Sequence, residues 1–574
     1  MITNRIKNIA FTLVVGSSFV AALTSCSSML DTDSELVEFQ EDNRLQSPTD
    51  SVYSVMGIVY KMQAIADRTV LLGELRGDLT AVTDAASKDL KAIADFSADA
   101  QNAYNRISDY YAVINNCNYY LANIKADLVK NDRKVFEAEY AVVKAFRAWA
   151  YLQLAQVYGS VPLVTEPILT EEASRKAMQQ EPKDIQAICN YFIDDIKPYV
   201  DTKLPVYGQI DGMDSQKFFI PVRALLGDLC LWAGRYAEAA QYYHDYLALR
   251  TNPVPTGTNA ASWSNESIRT REFNNRPNSS IRYENANSEC LCFIPMESGE
   301  FYGIKSELTN IFSSTDLNLQ YAQVAPSYRL GKLSAAQNYC ATYSRVDGTP
   351  DTIYVPKENL EQPEWVGDVR FATVYSTRVT GQERFGRLSG ETQKIEKFDS
   401  RAVMLYRVPM VYLRYAEALN RAGYPQSAFA ILKYGLCEDF ANKYVDDTER
   451  EAAAALISFD PDLFTISNTK GIHSRGSGNA ECDTLYVLPQ PTDPQPTRKD
   501  TVDYQIPLVE DMILNEMALE GAFEGYRYYD LMRVALRRNK PEYLADAVSQ
   551  RNKTVDTQLR SLLMDRKKWY LPLP

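Results

Sequence analysis

RALLGDLCLWAGRYAEAAQYYHDYL, residues 223–247, and YLRYAEALNRAGYPQSAFAILKYGL, residues 412–436, share a spacing that decides how the chain folds. In the first, Gly227 is followed by Gly234 at +7, Ala239 at +12 and Tyr243 at +16. In the second, Ala416 is followed by Gly423, Ala428 and Leu432 at the same offsets. A small residue lets two antiparallel helices approach, and a glycine makes the turn between them. An alanine and a large apolar side chain then pack the second helix back on the first. These are the offsets of the tetratricopeptide repeat, whose helix pairs bury a continuous core and leave an extended surface. Such a frame suits recognition better than catalysis.

Outward from the repeats, apolar residues recur at three- and four-residue spacing over 49–66, 100–127, 131–158, 183–199 and 219–249, and again over 404–435 and 508–538. The end signals agree: SPTD precedes the first helix, Gly159 follows the third, and Pro182 and Pro221 fall in first turns. Between 251 and about 400 the texture changes to NPVPTGTN, NNRPNSS and RVDGTPD, which reads as long loops with a few short strands. LPQPTDPQPTRKD marks a second loop at 460–505. The expected architecture is mainly α: one body over 49–574, with a tetratricopeptide-like scaffold from 49–250, 404–440 and 508–540. A large loop-rich, minor-β portion over 251–403 completes it.

The N-terminus reads differently. Arg5 and Lys7 precede an apolar stretch from Ile9 to Leu23, shorter than the roughly 20 residues that span a bilayer. Leu23-Thr24-Ser25-Cys26 matches the bacterial lipobox, so residues 1–25 read as a lipoprotein signal peptide and Cys26 as the lipidated first residue of the mature chain. A multiply acylated terminus holds a protein on a membrane where one chain binds only reversibly. The acidic stretch 26–48, with Asp31, Asp33, Glu35, Glu38, Glu41 and Asp42, reads as a solvated tether.

Composition narrows the function. The net charge of −13 has no basic block to offset it, which argues against a nucleic-acid partner. His244 and His473 are the only histidines, too few for a multi-histidine metal site and poor material for a histidine-based triad, so no metal or cofactor is expected. P-loop, dinucleotide and HExxH signatures are absent. Of the nine cysteines, Cys117, Cys189, Cys230 and Cys437 lie in helical patterns and read as small buried apolar groups. Cys290 and Cys292 are too close to bridge each other easily, which leaves a bridge to Cys340 or Cys482 open. Glu524, Arg527, Asp530 and Arg533 alternate in sign at i+3 and read as a structural ladder on one helix face.

Several stretches carry a family resemblance. AEYAVVKAFRAWAYLQLAQVYGSVPLVTEPI (138–168), YRVPMVYLRYAEALNRAG (406–423), NEMALEGAFEGYRYYDLMR (515–533) and the terminal WYLPLP (569–574) resemble the SusD/RagB family of outer-membrane nutrient-binding lipoproteins of Bacteroidetes. The resemblance covers nearly all of the mature chain. Met517 departs from it, standing where the family usually has arginine. The resemblance implies a cell-surface protein that is not an enzyme. It would bind an oligosaccharide, or alternatively a peptide, on its loop face and deliver it to a TonB-dependent transporter docked on the helical side. A surface glycan hydrolase remains the other class. LLGELRGDL (71–79) resembles a segment near the family's ligand face, so Glu74, Arg76 and Asp78 either contact ligand or form a buried ion pair. Flat aromatic faces suit sugar rings, and Trp263, Phe301, Tyr302, Tyr321 and Trp365 lie outside strong helical pattern. Trp149 and Trp232, in helices, are expected in the core.

Overall fold

The computed structural model describes residues 48–249 and 289–573, with breaks at 300, 314–321, 338–339, 345–346, 355–366, 369, 372–374, 380–390, 396, 399–400, 468 and 493–495. Its frame consists of α1 (Pro48–Glu74), α2 (Ile107–Asn123), α3 (Glu137–Tyr158), α4 (Ile185–Ile196), α5 (Val222–Ala233), α6 (Tyr236–Ala248), α7 (Val408–Arg421), α8 (Pro425–Lys433), α9 (Arg498–Glu520) and α10 (Arg527–Arg537). The packing runs α1 on α2, α2 on α3, α3 on α4, α4 on α5, α5 on α6, and then across the loop-rich segment from α6 to α7, which packs on α8 and α9.

The two repeats are the helix pairs α5–α6 and α7–α8. Gly234 ends α5 in the left-handed conformation (φ 80°), where a side chain would be strained. The small residue at Gly227 has a visible cause: a Cβ there would lie 2.4 Å from the ring of Tyr243, the +16 residue of the same repeat. Tyr243 in turn donates to Asp228 Oδ1 at 2.5 Å. Ala239, Ala428, Ala416 and Leu432 are all fully buried.

The strands β1 (Thr80–Val82), β2 (Cys290–Pro295), β3 (Val324–Pro326), β4 (Cys340–Ser344), β5 (Pro350–Tyr354), β6 (Tyr375–Val379), β7 (Glu391–Ile395) and β8 (Ala402–Arg407) form antiparallel pairs: β1–β3, β2–β8, β4–β5 and β6–β7. The β2–β8 pair is buried, with Val403 opposite Ile294 and an irregularity between Met404 and Tyr406 that resets the register, placing Arg407 opposite Cys290. The chain is therefore mainly α, with a minor β component.

Boundaries differ from the sequence reading in instructive ways. The first helix runs on to Glu74, because Leu71 and Leu72 remain on its buried face. The periodic stretch 219–249 holds the two helices that the repeat reading expects, split at Gly234. Residues 402–407 are strand, since all six side chains are buried and no helical stripe is needed. The stretch expected as one helix over 508–538 is two, α9 and α10, and α9 begins at Arg498, inside the expected loop, capped by Thr497 and Asp500 in a reciprocal capping box, and accommodates Pro507. Pro221 occupies the N-cap of α5, and Pro182 precedes the Asp184 cap of α4, so neither lies within a first turn. Among the described residues no helix is long and apolar enough to cross a membrane.

Candidate functional site

α9 and the turn after it carry Glu516, Glu520 and Glu524, four residues apart and all buried. Their partners come from the loop-rich portion, from the end of β8 and from the second loop at 460–505. Arg407, fully buried at the end of β8, reaches Glu520 Oε1 at 2.6 Å, Glu524 Oε1 at 2.8 Å and Glu289 Oε2 at 3.3 Å. Lys397 Nζ donates to Glu524 Oε1 at 2.6 Å. Arg370 joins Asp368 and Glu520, and its guanidinium lies 2.5 Å from Glu516 Oε1. Arg475 joins Glu289 at 2.6 Å. His473 lies between Asp483 (3.0 Å) and Glu516 (2.8 Å) and stacks on Tyr486. Burial alone would raise the Glu520 carboxyl, yet Arg475, Arg407 and Arg370 hold it well below the usual carboxylate range. Burial would lower the His473 imidazole, but Glu516 and Asp483 together raise it. This network fastens the loop-rich portion to the scaffold.

The expected i+3 ladder is corrected accordingly. Within it only Asp530 and Arg533 pair (2.8 Å), and the other members reach across the fold: Glu524 to Arg407, Arg527 to Asp78, Arg533 to Glu417. Glu524 precedes α10, so the four residues never share one helix face. Met517 is a buried core residue.

Glu74, Arg76 and Asp78 are fully buried where α1 crosses the 521–526 turn. A Cβ on Gly73 would lie 1.7 Å from Gly525 O, so only glycine permits the crossing. Glu74 Oε1 accepts from Gly525 N–H at 2.8 Å, while Oε2 has no partner, and burial pushes the carboxyl up to about 8. Asp78 is clamped by Arg527 (2.6 and 2.9 Å) and Arg329 (2.7 Å). Arg76 bonds Leu72 O, Tyr529 Oη and the carbonyl of Trp569, and lies over the Tyr528 ring. The carbonyl of Trp569 thus ties the C-terminal segment to this one. Of the three charged side chains of LLGELRGDL only Asp78 forms an ion pair, with Arg527 and Arg329, while Glu74 and Arg76 are buried against uncharged partners.

The aromatic candidates divide. Trp263, Tyr321 and Trp365 lie outside the described residues, as does Cys26. Phe301 is buried, edge-on to Phe218. Tyr302 is 79% exposed. Its turn is rigidly held: Ser298 N–H bonds Phe301 O, Glu297 N–H bonds Ile304 O, and Gln63 of α1 accepts from Ile304 N–H at 2.9 Å while donating to Pro295 O at 2.8 Å. A flat aromatic face is thereby presented to solvent from a fixed backbone. Ile304, 44% exposed, extends the same turn and was not singled out from the sequence, where a lone isoleucine carries no signal.

A small, partly open cavity of about 50 Å³ lies between α3, α5, β8 and α10, lined by Trp149, Trp232, Asp228, Arg414, Tyr526 and Asp530. Trp149 is 3% exposed, as expected of core, but Trp232 is only partly buried because it lies on this cavity, with Arg533 over its ring. Asp228 accepts from Tyr243, Tyr406 and Arg414, which commits its carboxylate to the scaffold.

No family model matches the sequence, and no curated protein is similar to it. Solved structures are similar in fold. A SusD superfamily protein from Bacteroides vulgatus superposes with a TM-score of 0.59 at 14% identity, over 92% of this chain and 96% of the other. A SusD-like carbohydrate-binding protein from Bacteroides fragilis gives 0.53 at 14% identity, over 86% and 87%. A putative sugar-binding protein from Bacteroides vulgatus gives 0.53 at 16%, over 86% and 88%. The chain therefore has the SusD-like fold along most of its length.

Proposed function

We propose that the protein is a non-catalytic lipoprotein, anchored through Cys26 to the outer membrane, that binds an oligosaccharide on its loop-rich face and delivers it to a TonB-dependent transporter. The observation that carries the reading is Tyr302, an exposed ring on a backbone pinned to α1. Sugar C–H faces stack on such rings. The SusD-like fold, shared with proteins described as carbohydrate-binding, supports the same assignment. Trp263, Tyr321 and Trp365 are the further aromatics proposed for this face. The acidic network of α9 is committed to holding the fold, which leaves recognition as the role of the exposed aromatics.

Calorimetric screening of oligosaccharides and peptides against the mature protein tests the assignment. Tyr302→Ala should weaken binding of the best glycan by about 1 kcal/mol or more while leaving the melting temperature nearly unchanged. Trp149→Ala should do the reverse, costing about 3 to 5 kcal/mol of stability. Binding only to peptides, or cleavage of the glycan on incubation, would overturn the assignment. Cys26→Ala should move the protein from the membrane to the soluble fraction, and continued membrane retention would remove the anchor.

A further inference from the structure

Two thiols far apart in the chain meet over one carbonyl oxygen. Cys340 Sγ donates to Asn479 O at 3.2 Å, and Cys482 Sγ lies 3.4 Å from the same atom. The thiols are also within hydrogen-bonding reach of each other. Backbone contacts fix both. The first residue of β4, Cys340, bridges Gly478 in parallel and accepts from Asn479 N–H at 2.9 Å. Cys482 N–H closes a turn onto Asn479 O at 3.2 Å. The next residue, Asp483, is held by His473 (3.0 Å), and its carbonyl accepts from Lys433 Nζ of α8 at 3.1 Å. One thiol therefore belongs to the β4–β5 hairpin and the other to a turn tied to the helical scaffold.

We propose that Cys340 and Cys482 are a disulfide site that covalently fastens the β4–β5 hairpin of the loop-rich portion to the scaffold. The structure describes the reduced pair. A disulfide has strict geometric requirements, and two thiols that share one carbonyl oxygen at 3.2 and 3.4 Å, on backbones held by hydrogen bonds, lie close enough for a bridge to be tested. Cys482 is partly exposed and Cys340 buried, which orders the steps. The Cys482 thiolate attacks an external disulfide, releasing one thiolate and forming a mixed disulfide. The Cys340 thiolate then attacks the Cys482 sulfur and releases the second. Two cysteine thiols lose two electrons and two protons, and the external disulfide is reduced to two thiols. The bond closes a loop of about 140 residues, the kind of long loop whose closure most restricts the unfolded chain. Cys290 and Cys292 lie in β2, opposite Arg407 and Tyr406.

The test uses the full mature protein under native conditions. It is incubated with glutathione disulfide, the remaining thiols are alkylated, and non-reducing peptide mass spectrometry follows. The expected product is a single linked peptide pair containing Cys340 and Cys482. The oxidised protein should melt at a higher temperature than the reduced one, and dithiothreitol should reverse the shift. Cys482→Ser, a partly exposed and conservative change, should abolish both the linked peptide and the shift, and Cys340→Ser should act alike. Full alkylation of both thiols after oxidation, a stable glutathione adduct at Cys482 without the internal bond, or cross-links between other cysteines would overturn the proposal. So would a redox-dependent melting shift that survives in Cys482→Ser.

Discussion

Glu74 shows how burial can outweigh every other influence on the chemistry of a side chain. Its carboxyl is enclosed, accepts a hydrogen bond from Gly525 N–H on one oxygen and has no partner on the other, so the neutral acid is the favoured form. With the folded value raised from 4.5 to about 8, the folded protein keeps a proton that the unfolded chain releases. The resulting stability is fully present below pH 4.5 and is lost as pH rises through 8, by up to about 1.4 kcal/mol per pH unit within that window. Glu74→Gln, which is neutral in both states, should flatten the decline in urea-unfolding stability between pH 5 and 8. An unchanged pH profile would mean that Glu74 is ionised in the fold. His473, also raised, acts in the same direction above its unfolded value of 6.5. Asp483, lowered to about 2, acts in the opposite one: its contribution is present above 3.8 and lost as pH falls towards 2.

Among the elements, the repeat pairs make the firmest prediction. Ala239 in α6 and Ala428 in α8 have no solvent exposure, because the partner helix occupies the space that a larger side chain would fill. Ala239→Leu and Ala428→Leu should each cost about 1 to 3 kcal/mol by overpacking, measured by thermal or urea unfolding. Wild-type melting in both would contradict the close contact. The offsets from Gly227 to Tyr243 and from Ala416 to Leu432 are legible in the sequence itself, since a helix repeats every few residues and its packing face is written locally. The helix starting at Arg498 escapes such a reading because QPTRKD looks like loop until the Thr497–Asp500 cap is recognised.

At the scale of the whole molecule, Glu516, Glu520 and Glu524 bind the loop-rich portion to the helices through buried charges. Breaking such a pair leaves partner charges unsatisfied and costs about 3 to 5 kcal/mol. Glu520→Ala, which removes one carboxylate partner from each of Arg370, Arg407 and Arg475, should lose stability in that range and expose the 289–407 segment to limited proteolysis while α5 and α6 stay protected. Resistance equal to wild type would mean that the two portions are joined some other way. The lowered carboxyls of Glu516, Glu520 and Glu524 place the loss of this joint on the acid side, as pH falls through their folded values.

The sequence alone determined the helix pairs and their glycine turns, because periodicity and turn chemistry depend on residues within a few positions of each other. It could not decide the surroundings of LLGELRGDL, nor that among the alternating charges of 524–533 only Asp530 and Arg533 would pair with each other. Those outcomes rest on partners far along the chain: Arg527 meets Asp78 across 449 positions, and Arg407 meets Glu520 across 113. A charge finds its partner only once the helices have packed. Burial then removes the solvent that would otherwise screen the pair, and tertiary structure decides which carboxylate is exposed, ionised or neutral.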